Sequence, residues 1–194
     1  MTDLGGKHLQ LPQLSQLSFM YAIKPIIAWP AMPQLAELSV THCEEVTTVA
    51  GLSALTRLTS LTLDWKGQLW RSCHRLLLAA PPSVSHIHLQ GSSSNEGGWS
   101  PVPAMVSMPQ LRSLTCRSPA IIEDLGLLTQ LQHLSFPGHP VTALSLEQLD
   151  LLYRLTTLRR LEFGVPVPER AHGHRVQVVR KVLPAGCTLE QPMR

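Results

Sequence analysis

The chain has 194 residues, with 16 Lys and Arg against 13 Asp and Glu for a formal net charge of +3, and it is 44% hydrophobic but only 5% aromatic. No run of about 18 apolar residues is present to span a membrane, and the amino-terminal MTDLGGKHLQLPQL lacks the charged-then-apolar layout of a secretory leader. Four widely separated cysteines, Cys43, Cys73, Cys116 and Cys187, form no framework of closely spaced pairs, so the expectation is an intracellular (cytoplasmic or nuclear) protein with reduced thiols.

Taken in chain order, one phrase keeps returning: LPQLSQLSF (11–19), MPQLAELSV (32–40), LTRLTSLTL (55–63), PPSVSHIHL (81–89), MPQLRSLTC (108–116), LTQLQHLSF (128–136), LTTLRRLEF (155–163) and a degenerate LPAGCTLEQ (183–191). An apolar residue recurs at Leu17, Leu38, Leu61, Ile87, Leu114, Leu134, Leu161 and Leu189, at intervals of 21, 23, 26, 27, 20, 27 and 28 residues. In LTRLTSLTL the spacing of three, three and two fits no helix, and only Leu61-Thr62-Leu63 alternates as a strand does. Thr56, Thr59, Ser60 and Thr62 lower helix propensity through stiff χ1 angles or competing hydroxyls. One short strand leaving an irregular turn is therefore expected near each of Leu17, Leu38, Leu61, Ile87, Leu114, Leu134 and Leu161. The whole of 1–194 is expected to be a single domain with repeats over about 11–191.

The connections differ along the chain. Residues 20–33 carry Pro25, Pro30 and Pro33, which lack the donors of an α-helix, and are expected to be extended. Residues 68–80, stopped by Pro81-Pro82, read as a helix. Residues 91–103, GSSSNEGGWSPVP, read as a flexible surface loop, with Trp99 as its one large side chain. Residues 120–128 are a weaker helical pattern. Residues 145–155 open with Ser145 and Gln148 in capping-box spacing and run apolar through Leu146, Leu149, Leu152 and Leu155, and 175–183 form a last helix before Pro184.

The eight phased copies resemble the leucine-rich-repeat family, whose unit of roughly 20–29 residues carries L-x-x-L-x-L-x-x-N/C-x-L. The resemblance covers nearly all of residues 11–191. It implies an α/β fold, a leucine-rich-repeat solenoid with a curved parallel sheet on the concave side and short helices and irregular segments on the convex side. Two apolar residues of each strand would point into the arc and their neighbours to the concave surface. The chain departs from the family at the N/C position, where it has Ala22, Cys43, Lys66, Ser92, Pro119, His139 and Pro166. Only Cys43 matches, and the one asparagine is Asn95, so no asparagine ladder can form and the turn groups need other partners. Residues 43–63 resemble the cysteine-containing subclass, which is common in intracellular proteins, including substrate-recognition subunits of ubiquitin ligases.

No G-x-S-x-G, H-E-x-x-H, G-x-x-x-x-G-K-S/T or C-x-x-C is present, so neither catalysis nor a cofactor is expected. Nine histidines raise the question of metal binding, but His86 and His133 stand two copies apart with Ser113 between them. At about 4.8 Å per strand that is roughly 10 Å, too far for one zinc with bonds near 2.1 Å, so no metal is expected. Residues 150–194 hold 8 basic against 4 acidic side chains, but no interleaved aromatics accompany them, which argues against nucleic acid. The expected function is a noncatalytic protein–protein interaction scaffold that binds another protein, not a membrane, on its concave sheet. The alternatives are a ubiquitin-ligase substrate receptor with its F-box elsewhere, or a structural subunit of a large, even ribonucleoprotein, complex. Most outward positions are small hydroxyls, so recognition is expected to concentrate on the larger groups: His86, His88, Arg117, His133 and Arg160.

Overall fold

A computed structural model describes residues 11–20, 29–42, 49–64, 70–90, 100–117, 124–140, 144–165 and 183–190. The three-residue spacing of the leucines is explained first. In the first seven copies the residue at the fourth position of the phrase donates its N–H to the carbonyl of the first: Leu14 to Leu11, Leu35 to Met32, Leu58 to Leu55, Val84 to Pro81, Leu111 to Met108, Leu131 to Leu128 and Leu158 to Leu155; in the last, degenerate copy the same bond falls one residue later, from Cys187 to Pro184. The L-x-x-L is thus a β-turn. Pro12, Pro33, Pro82 and Pro109 occupy its second position, where a fixed φ suits types I and II. In the last turn Gly186 takes φ of 83° at the third position, the conformation that a type II turn requires there.

Each turn leads into a short strand: β1 (Gln16–Met20), β2 (Glu37–Thr41), β3 (Ser60–Asp64), β4 (His86–Gln90), β5 (Ser113–Cys116), β6 (His133–Phe136), β7 (Arg160–Phe163) and β8 (Thr188–Glu190). They form one open sheet in the order β1 to β8, and every pairing is parallel. The register aligns Leu17, Leu38, Leu61, Ile87, Leu114, Leu134, Leu161 and Leu189 as a continuous row, as the phase of the copies requires. The six inner members are buried, whereas Leu17 and Leu189, at the sheet's two edges, are only partly so. Burying a leucine contributes roughly 1.5–3 kcal/mol.

At the entry to the strands, main-chain bonds tie each copy to the next. The carbonyls of Ser15, Ala36, Thr59, Ser85, Arg112 and Gln132 each accept two consecutive N–H groups from the next copy, at 2.8–3.0 Å. Hydroxyls reinforce this rail: Ser83 Oγ donates to Leu58 O at 2.8 Å and Thr157 Oγ1 to Leu131 O at 2.7 Å. Main-chain carbonyls thus link neighbouring copies at the leading end of the strands.

Behind the apolar face lie α1 (Trp70–Ala79), α2 (Val102–Val106) and α3 (Leu146–Tyr153), and their buried side chains join the same core. α1 falls within the expected 68–80. α3 carries the expected capping box, with Gln148 N donating to Ser145 Oγ at 3.1 Å and Ser145 N donating to Gln148 Oε1 at 2.8 Å. Three expectations need correction. Residues 102–103 belong to α2 rather than to the loop, because Pro101 and Pro103 sit at its start, where an N–H has no intrahelical partner to lose. Trp29–Ala31 form a 3₁₀ turn rather than extended chain, with Trp29 fully buried. Residues 124–127 are also 3₁₀, their short length suiting that tighter turn. Trp99 with the rest of the loop to 99, the Cys43 turn, residues 21–28 and 120–123, and residues 175–182 of the helix expected over 175–183 lie outside the described residues.

Candidate functional site

Alternation along each strand puts the leucine row inward and two polar rows outward. The first runs Gln16, Glu37, Ser60, His86, Ser113, His133, Arg160 and Thr188; the second runs Ser18, Ser39, Thr62, His88, Thr115, Ser135, Glu162 and Glu190. All five sequence candidates lie on this face: four in the rows, and Arg117 one residue beyond β5, where its N–H donates to Leu89 O at 3.2 Å. Three outward positions are nonetheless buried: Thr41, Asp64 and Ser135. Thr41 Oγ1 donates to Phe19 O, and Asp64 lies 3.3 Å from His42 Nδ1.

Over β1 to β3 the face is a shallow groove of about 360 Å³ whose outward lining is Gln16, Ser18, Glu37, Ser39, Ser60 and Thr62. Glu37 is exposed and makes no ion pair with any described residue.

Over β5 to β8 the larger groups bind one another. Ser113 Oγ is 3.1 Å from His133 Nδ1, and His133 Nε2 is 3.1 Å from Glu162 Oε2, close enough for an ion contact but without the alignment of a hydrogen bond. Arg160 Nη2 contacts Glu162 Oε1 and, at 2.7 Å, Glu190 Oε2. Partial burial works against the Glu162 carboxylate. His133, Ser135 and Arg160 outweigh it and hold the group below the ordinary carboxylate range. Of the five candidates, then, His133 and Arg160 are already engaged, and His86 shares its Nδ1 with Ser85 Oγ at 2.8 Å.

His88 and Arg117 differ. Nε2 of His88 is buried with no hydrogen-bond partner, and the exposed Arg117 guanidinium makes no ion pair or hydrogen bond among the described residues. Burial, and secondarily the charge of Arg117, push the His88 imidazole below its ordinary value.

The Ser113–His133–Glu162 line has the composition of a nucleophile, base and orienting carboxylate. Acyl transfer also needs N–H donors aimed at a developing oxyanion. Ser113 lies inside a paired strand, and its own N–H is taken by Ser85 O at 3.0 Å. The Ser113 N–H is therefore not free for that role.

Neither Glu162 nor Glu190 was among the residues that the sequence singled out for recognition. The signal was present: aligning the last, degenerate copy sets Glu190 beside Glu162, with Arg160 in the adjoining row. Among the described residues no three His, Cys, Asp or Glu side chains converge as a metal site would require, and no helix is long and apolar enough to cross a membrane. No known family model matches the chain, and no curated protein matches it.

Proposed function

We propose that the chain is a leucine-rich-repeat solenoid acting as a noncatalytic scaffold, which holds another protein against the outward face of its sheet. The observation that carries this reading is the outward face, which no described helix covers. All-parallel sheets are ordinarily covered on both sides by helices. Here the inner row is buried under α1 to α3, while Gln16, Glu37, His86, Arg117, Arg160 and Glu190 on the other side are exposed. Eight strands in one register make that face a continuous strip, long enough for an extended segment or a folded surface to lie along it. The Ser113–His133–Glu162 line is read as a brace between strands, a reading that the occupied N–H of Ser113 supports.

The test is comparative affinity purification with mass spectrometry. Ser60→Arg and Thr62→Arg place bulk on the floor of the face, and Leu78→Arg places it on an exposed position of α1. With thermal melts unchanged, proteins recovered with the wild type and with Leu78→Arg should be lost with the two face variants. Equal recovery with all four chains overturns the reading.

A further inference from the structure

The sheet register sets His88 between Thr62 on β3 and Thr115 on β5, and Arg117 follows Thr115 by two residues on the same face. The register makes these residues neighbours on one face, where the buried Nε2 of His88 has no hydrogen-bond partner and the Arg117 guanidinium no counter-ion among the described residues. A buried nitrogen left unbonded and a cation left unpaired are both relieved by the same object, an anionic oxygen placed between them.

We propose that His88 and Arg117 form the receptor for a single carboxylate, the side chain of an Asp or Glu carried on an extended segment of the partner protein. The proposal rests on the sheet-face reading above and names the chemistry that face selects. The guanidinium fork takes a carboxylate in paired hydrogen bonds, and the imidazole adds an N–H with the Thr62 and Thr115 hydroxyls beside it. The charge balance favours a monoanion. Arg117 is one permanent positive charge, and the next large cation along the face, Arg160, is already held by Glu162 and Glu190. A phosphate dianion would call for a second cation, and a nucleic acid for a run of them.

Nε2 of His88 is covered in the free chain, but the residue is only partly buried, so a turn of its ring brings the nitrogen to the face, and the neighbouring charged groups are engaged elsewhere. From β3, Asp64 is buried against His42. On β4 itself, His86 is held by Ser85, and from β6, His133 is held by Ser113 and Glu162. Arg117 is the charge that acts on His88, and together with burial it disfavours the imidazolium. A carboxylate bound between the two reverses that balance, so occupancy raises the pH at which His88 titrates. Binding correspondingly tightens as pH falls through that range.

Sodium acetate titrated into the full chain at constant ionic strength, with chloride as the balancing ion, tests the site without any partner. Imidazole signals are followed by NMR and assigned with His88→Ala. The expected result is a saturable shift of His88 and a rise of its titration midpoint by about one pH unit, with His86 and His133 unmoved. Arg117→Ala should abolish both effects, and Arg117→Lys should keep a weakened response. Arg117 is exposed, so these variants should melt as the wild type does. The proposal is overturned if acetate moves His88 no more than chloride, if the response survives in Arg117→Ala, or if inorganic phosphate saturates the site at a tenfold lower concentration than acetate. A silent acetate titration alongside partner loss in Ser60→Arg would remove the carboxylate receptor and leave the sheet-face reading standing.

Discussion

His133 Nε2 lies 3.1 Å from Glu162 Oε2 in a diagonal contact between β6 and β7, and Arg160 closes on the other oxygen of the same carboxylate. With its folded pKa below the ordinary 4.5, Glu162 contributes stability that is present above that value and lost as pH falls through the lowered one. The wild type should therefore lose thermal stability on acidification below about pH 4.5 more steeply than Glu162→Gln. Melting curves of both chains through the acid range check this; parallel profiles would show that the contact adds nothing.

Gly164 follows β7 and packs on the main chain after β6, where its N–H donates to Phe136 O at 3.0 Å. A Cβ on it would stand 2.0 Å from Pro137 O and 2.5 Å from Pro137 C, backbone atoms with no side-chain freedom to move away. Gly164→Ala is expected to cost about 1–3 kcal/mol in chemical denaturation through overpacking. Gly186→Ala meets no atom within 4 Å, but its φ of 83° makes the substitution conformationally strained, at about 1–2 kcal/mol. Asn at position 186 should restore part of that loss, whereas Asn at position 164 should restore none.

Leu61 is at the centre of the inward row and fully buried. Leu61→Ala should cost about 2–5 kcal/mol, the range for a leucine cavity that collapses only in part. A denaturation midpoint within error of the wild type would contradict the packing of this row.

Ser145→Ala removes the acceptor for Gln148 N at the start of α3 and should lower stability by about 0.5–2 kcal/mol. Ser145→Asp should keep most of the cap, since a carboxylate oxygen can accept the same bond. Equal losses in the two variants would mean that the hydroxyl serves some other contact.

The sequence by itself determined the strands, because their cause is local and repeats. Pro12, Pro33, Pro82 and Pro109 set a turn by fixing φ, the fourth residue of each of the first seven phrases closes it, and alternation follows, so counting residues finds the strands from Leu17 to Leu161, while the fold adds β8 at the degenerate Leu189 copy. The Ser145 cap was legible for the same reason, since donor and acceptor lie three residues apart. Only the tertiary structure decided which polar groups on the outward face are spent. Arg160 is tied to Glu190, thirty positions away in the chain, and His133 to Ser113 and Glu162, across lateral distances that no periodicity encodes. Burial of Asp64 and the steric need for Gly164 arise in the same way, from a neighbouring copy rather than from the residue's own segment. Five equivalent candidates in the sequence thus became three that hold neighbours in the fold and two, His88 and Arg117, left open. Hydrogen bonding and charge pairing are settled by contact across strands, whereas turn and strand formation are settled along the chain.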